Sequence, residues 1–426
     1  MHLSITLLIA SALLGFILGI ISGLIPGIHV NNIALLLVAL SPFLVSVGFP
    51  WFYIAVVILS TSITHTFLDI IPSIFLGAPE ADTSLAVLPG HKLLMEGRGS
   101  EAVRLSAMGS AGSVVISLIM AFPLGFLFMN VYNILSSYIG WVLVLIVILM
   151  IATEKGEIIE SSLTDLKFKM YAILLFVISG MLGLFAFNSE DIMQPIIKFG
   201  ETSVLFPLLS GLFGASMLVI SLITDSEIPP QQNTNRVELS KKKIVRGMFT
   251  GSMAGSFVAL LPGVSSAIGT IIARLLIKRD VDSSKEFIVS ISGANTADAI
   301  FSLIALFTIQ KARSGAMVAI DTLIQSLDIS TVVVLLMVVV YVSVLSYCAT
   351  IYLGDKILNI LYKINYQKLC CVILFSLSLM VVLFTGMFGL MIFLVSIPIG
   401  MIASFARIRR VHAMGVILLP VILYFF

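Results

Sequence analysis

The sequence predicts an all-α polytopic membrane protein, and three observations point there. Of 426 residues, 59% are hydrophobic and 11% are charged, whereas soluble domains carry about a quarter charged residues. Mean hydropathy is +1.15. Apolar runs of about twenty residues, enough to cross about 30 Å of hydrocarbon as a helix, recur from one end to the other. The alternating ten-residue strands of a transmembrane barrel are not in the pattern. A net charge of +2 gives no reason to expect a nucleic-acid partner. The lipid bilayer is the expected surrounding, and the cell membrane the expected location.

Taken in order, hydropathy places helices near 4–25, 29–47, 51–76, 105–129, 133–152, 168–188, 203–223, 244–260, 263–277, 286–309, 331–353, 369–385, 386–404 and 411–426. Several are short or interrupted, so about ten to thirteen crossings are predicted. The opening "MHLSITLLIASALLGFILG" has neither a basic leader nor a small-residue cleavage site and reads as a retained first helix. Cys348, Cys370 and Cys371 fall in apolar segments without metal-ligand spacing and read as small core or lipid-facing residues. The stretch "TDSEIPPQQNTNRVELSKKK" at 224–243 is polar, mixed in charge and holds two prolines. It reads as a linker dividing a first repeat, 1–223, from a second, 244–426.

The two halves open alike. One begins Gly15-xxx-Gly19-xxx-Gly23-xx-Pro26-Gly27, the other Gly251-xxx-Gly255-xxx-Ala259-xx-Pro262-Gly263. Small residues four apart share a helix face and admit a close neighbour. Pro-Gly then stops each helix at the same offset. Asp69 and Asp298 follow their prolines by 43 and 36 residues. Internal repeats with helices broken at matching places mark secondary transporters. Backbone groups freed by a break cannot be satisfied by lipid, and a half-helix that starts there aims N–H donors at an anion. His29, Asn31 and Asn32 follow the first break; Ser265 and Ser266 follow the second. Both breaks are therefore candidate ligand seats, the structural alternative being a pair of kinks.

At these residues the chain resembles the large membrane subunit of the tripartite tricarboxylate transporter (TctA-like) family, in its shorter stand-alone, archaeal-type branch. The resemblance rests on "GLIPGIHVNNIALLLVALSP", "LPGHKLLMEGRGSEAVRLSAMGSAGS", "PLLSGLFGASML", "ALLPGVSSAIGTIIA" and "SGANTADAI". It implies ion-gradient-driven transport of organic carboxylates; larger members work with a soluble binding protein and a small membrane subunit. Carried over, Pro26, Gly27, Asn31 and Asn32 would line one seat and Pro262, Gly263, Ser265 and Ser266 the other, with Asn295 on the family's Asn pair. The chain departs from the family where a solute would be read. "ITHTFLDII" replaces a Gly-Gly-Ser turn, "ARSGA" lacks a proline, and the Asn pair is reduced to Asn295-Thr296.

Ionisable groups at bilayer depth are costly and are usually functional or paired. Asp69, with His65 one helical turn earlier on the same face, and Asp298 are the candidates for coupling Na⁺ or H⁺; segment ends in water are the alternative. His29 and His65 could serve a proton relay or simply satisfy local backbone. Glu80 and Asp82 read as a loop between half-helices, solvated or gating. Lys92, Arg98 and Arg104 read as inside-facing positive charges, with Lys311 and Arg313 in the corresponding role or attracting anions. Lys241, Lys242, Lys243 and Arg246 put the linker in the cytoplasm, which makes the repeats inverted.

The leading function is a permease for a small anionic solute, without a cofactor. Accessory subunits and a homo-oligomer are left open. An alternative is transport of a lipid-linked phosphate. An alternative of another class, an intramembrane hydrolase using His29, His65, Asp69 and His91 around a metal, lacks an HExxH or aspartyl signature, so an enzyme is not expected.

Overall fold

A computed structural model of the chain describes residues 4–25, 30–77, 82–154, 162–197, 203–224, 229–231, 236–261, 266, 269–271, 273, 282–324, 327–361 and 366–426. Among them, every regular element is helical. In the first half these are α1 (Ile5–Leu24), α2 (Val30–Ser46), α3 (Trp51–Leu68), α4 (Ile70–Phe75), α5 (Val87–Met95), α6 (Gly99–Ser137), α7 (Ile139–Ala152), α8 (Ser162–Asn188), α9 (Leu205–Leu209) and α10 (Ser216–Ile223). In the second they are α11 (Lys241–Val258), α12 (Ser283–Ile309), α13 (Gly315–Leu323), α14 (Ile329–Leu361), α15 (Tyr366–Phe405) and α16 (Gly415–Tyr424).

Among the described residues, eight helices are long and apolar enough to cross a membrane and three more are apolar but shorter. The protein is an all-α polytopic membrane protein. Its outer surface is made of large apolar side chains such as Phe122 and Phe126, 70% and 72% exposed, which only hydrocarbon solvates at no cost. The expected spans 105–129 and 133–152 emerge as a longer α6 and a shorter α7. Spans 369–385 and 386–404 are one helical run bent at Gly386, whose φ of 74° no ordinary helix residue adopts. Most of span 263–277 lies outside the described residues. The short helices α5 and α13 were not anticipated, because each is too brief for a hydropathy signal.

The small-residue stripes set the packing. Gly15 lies against Val57 and Ser60, Gly19 against Thr61 and Thr64, and Gly23 against Leu68, so α1 runs parallel to α3 in near backbone contact. Likewise Gly247 meets Glu286 and Val289, and Gly255 meets Ala294 and Asp298, so α11 runs parallel to α12. The register inside the two pairs agrees. Gly15 touches the carbonyl of Val57 as Gly251 touches that of Ser290, and Gly19 that of Thr61 as Gly255 that of Ala294. His65 therefore corresponds to Asp298, and Asp69 to Ser302.

The two pairs run in opposite directions. α6 lies parallel to α12, with Gly109 against Val289 and Gly125 against Ile304 and Thr308. α14 follows α3, with Ser346 on Thr64 and Thr350 on the Phe67 carbonyl. The far end of α14 meets the start of α6, where Arg104 grips Asp355 through two hydrogen bonds of 2.9 and 2.7 Å. α3 and α12 are thus antiparallel, and both are almost wholly buried.

The described part of the linker seals the end of the bundle at which α6 and α12 begin. Gln231 accepts from the Gly99 amide at 3.0 Å and donates to Leu94 at 2.9 Å. Glu238 pairs with Arg98 at 2.5 Å, and its amide donates to Glu101 at 2.8 Å. Lys285 bridges the halves by pairing with Glu101 at 3.1 Å and donating to the Glu238 carbonyl at 3.0 Å. Arg246 clasps Glu286 and Lys243 holds Asp282 at the same end. Lys311 and Arg313 follow the far end of α12. They and Arg98 and Arg104 consequently face opposite sides.

Two stability outcomes follow from this packing. A Cβ at Gly19 would sit 2.8 Å from the Thr61 carbonyl oxygen, whereas at Gly125 its neighbours are only side-chain methyls at 3.2 and 3.3 Å. Gly19→Ala should lower the detergent-state melting temperature by several degrees, an overpacking cost of about 1–3 kcal/mol, while Gly125→Ala leaves it nearly unchanged. Lys285→Met, which strips a buried cation from Glu101, should cost on the order of 3 kcal/mol in the same melt.

Candidate functional site

α3 gives way to α4 at Asp69, whose amide still bonds the His65 carbonyl at 3.0 Å. That change of helix, deep in the bundle, turns a carboxylate toward the second half. Asn295 of α12 donates to Asp69 Oδ2 at 2.7 Å. One turn back, Thr66 and Thr296 share a hydrogen bond of 3.1 Å. His65 Nδ1 lies 3.0 Å from Ser22 Oγ at the end of α1. Asp69, His65 and Asn295 are 2%, 3% and 5% exposed, and Thr296 is fully buried. The antiparallel helix pairs thus meet through side chains that lipid could never satisfy.

From there a polar chain continues toward the second break. Ser73 Oγ donates to the Asp69 carbonyl at 2.8 Å and shares a 2.7 Å bond with Thr83. The neighbouring Asp82 reaches across to Ser266, accepting from its amide at 2.9 Å and its hydroxyl at 2.8 Å through the same Oδ1. Asp82 also lies within electrostatic reach of Asp298, which Ser302 hydrogen-bonds. A carboxylate of the first half therefore rests on the first described residue after the second Pro-Gly break. The sequence placed Asp82 in a loop, and no residue spacing could link it to Ser266, 184 positions away. Ser22, Thr66, Ser73 and Thr83 escaped notice because small hydroxyl residues are common in membrane helices.

Of the expected seat residues, Pro26, Gly27, His29, Pro262, Gly263 and Ser265 lie outside the described residues, as does the side chain of Asn32. Asn31 caps α13, accepting from the Ala316 amide at 3.0 Å, and so ties the start of α2 to the second half. His65, Asp69, Asn295, Thr296 and Ser266, all buried, and the half-buried Asp298 lie along one polar region. His91 sits apart on α5, against the Ile74 backbone. Among the described residues, no three His, Cys, Asp or Glu side chains are placed to hold a metal.

The acidic members of this region are Asp69, Asp82 and Asp298.

Comparison with known proteins agrees with this architecture. The model of the family described as "Tripartite tricarboxylate transporter TctA family" matches residues 9–415. An uncharacterized protein of Methanocaldococcus jannaschii is 29% identical over 422 residues, covering 97% of this chain and 98% of its own. No solved structure matches significantly. A helical bundle with eight long apolar helices, an internally paired polar interior and a family match over nearly its whole length is a multi-pass membrane protein of the transporter class; the chain belongs to the tripartite tricarboxylate transporter TctA family.

Proposed function

We propose that the protein is an ion-coupled permease for a small anionic solute, in all expectation a carboxylate, held between the two helix pairs. The observation that carries the reading is the Asp69–Asn295 contact, which joins antiparallel units at a buried polar seam. Two inverted repeats meeting at a polar seam between broken helices is the arrangement of alternating-access carriers. The linker side, with its cluster of paired cations, is read as cytoplasmic, and the two repeats as 1–223 and 244–426.

The acidic interior gives ion coupling a physical reason. A solute anion alone would be repelled by Asp69, Asp82 and Asp298; with bound Na⁺ or H⁺ the combined charge approaches neutrality and the loaded site can cross. Asp82 on Ser266 resembles a solute carboxylate in its seat. In this reading the solute exchanges with Asp82 for the Ser266 amide and hydroxyl. A solute-binding protein and a small membrane subunit belong to the larger family members and are open here.

Uptake into proteoliposomes, with carboxylates, inorganic phosphate and polyprenyl phosphate compared under varied Na⁺ and pH, tests the reading. Carboxylate uptake that depends on one ion is expected; uptake of only the lipid phosphate would replace this proposal with the alternative. Asp69→Asn and Asp298→Asn should each lower ion-dependent uptake at least tenfold, the effect of losing one charged partner worth about 1.5–3 kcal/mol. Unchanged ion dependence in both variants removes the coupling assignment. Asp82→Ala should lower the half-saturating carboxylate concentration by about tenfold, since charge-assisted bonds to Ser266 no longer compete.

A further inference from the structure

We infer that Arg313 forms a carboxylate-capture subsite at the end of the bundle opposite the linker. This rests on the reading of the protein as an anion permease and extends it to a second, outer site. α12 begins at the linker through Lys285 and runs 27 residues, about 40 Å at 1.5 Å per residue, before the segment that carries Lys311 and Arg313. α6 runs beside it in the same direction and brings Tyr132 to the same end.

The guanidinium of Arg313 lies over the Tyr132 ring, 4.8 Å from its centroid. That stacking fixes the plane of the fork. Arg313 Nε and Nη2 are both shielded from solvent, and neither hydrogen-bonds any described residue. Leaving buried donors of a charged group unmade is costly. Among the described residues no acid pairs with it, whereas Arg98, Arg104, Arg246 and Arg409 each have one, and Arg410 rests instead on the Phe213 carbonyl and Ser404.

The pair of orphaned nitrogens identifies the ligand. Arg246 uses the same two atoms, Nε and Nη2, to hold both oxygens of Glu286, at 2.5 and 2.6 Å. The Nε–Nη2 edge directs two parallel N–H groups at a planar pair of oxygens, which a carboxylate supplies. Arg313 has that edge with no acid of the described residues in it. Lys311, exposed two residues earlier, adds long-range attraction for anions. A solute carboxylate captured here would lie on the far side of the bundle from the linker, ahead of the acidic interior.

The test is arginine modification of the full-length, detergent-purified chain by phenylglyoxal, read at each arginine by peptide mass spectrometry. Succinate and citrate should slow modification of Arg313 about tenfold, as a contact of about 1.4 kcal/mol requires. Arg246, already paired, should be unaffected by either. No protection, or protection no greater than chloride gives at equal ionic strength, overturns the subsite. In proteoliposomes, Arg313→Lys keeps the charge and loses the planar edge; it should raise the half-saturating carboxylate concentration with little change in maximal rate, and an unchanged value overturns the subsite. Protection of Arg313 in a chain that transports no carboxylate would leave the subsite standing and sink the permease reading. Carboxylate uptake without protection would do the reverse.

Discussion

The bond from Asn295 to Asp69 is the point on which the architecture turns. Hydrocarbon offers no hydrogen bonds, so any polar group carried to the middle of a membrane bundle must find its partner inside the protein. Asp69 finds it on the opposite repeat, and that requirement fixes how the halves face each other. The stripes at Gly15, Gly19 and Gly23 and at Gly247, Gly251 and Gly255 serve it indirectly. By letting α1 and α11 lie almost against the backbones of α3 and α12, they keep those two central helices away from lipid. Only helices enclosed in this way can carry carboxylates at depth.

The two helix pairs, α1 with α3 and α11 with α12, are alike in register and unlike in chemistry. The glycine register equates His65 with Asp298 and Asp69 with Ser302, so the carboxylate of the second half stands one helical turn before that of the first. A pair of symmetric seats would put equal charges at equal depths. Here a histidine held by Ser22 faces one side of the seam, and an aspartate hydrogen-bonded by Ser302 the other. On the permease reading, the two half-sites would differ in affinity for a cation, which suits a carrier whose coupling ion and solute occupy different places.

Much of the fold was legible because a bilayer imposes simple rules. Apolar length gave the spans and four-residue spacing of glycines gave close helix contacts, while both Pro-Gly pairs lie outside the described residues. The bend at Gly386 even fell on the boundary drawn between two adjacent spans. The site was legible only in part. Asp69, His65, Asn295 and Asp298 stood out as polar groups in apolar runs. What spacing could not convey was register: the sequence paired Asp69 with Asp298 at unequal offsets from their prolines, whereas the glycine contacts set Asp298 level with His65, one turn from Asp69. Nor could a single sequence reveal that Asp82 rests on Ser266, or that Lys285 links Glu101 to the linker, since those contacts join residues far apart in the chain. The short α5 and α13 bury too few residues to carry a periodic signal.

The charges are sorted along the bundle in a way that bears on direction. At the linker end, lysines and arginines are matched by Glu101, Glu238, Asp282, Glu286 and Asp355, several of them well buried, so that end is tightly knitted and close to neutral. In the interior stand the acids Asp69, Asp82 and Asp298, with Arg410 buried apart from them against the Phe213 carbonyl and Ser404. At the opposite end stand Lys311 and Arg313, with no acid beside them among the described residues. An anion approaching from that side first meets attraction and then, a few turns deeper, repulsion that only a bound cation removes. On the linker side Arg98, Arg104 and Arg246 already have their carboxylates. On the permease reading this polarity favours loading from the face opposite the linker, and it makes cation binding in the interior the step that decides whether a captured anion proceeds.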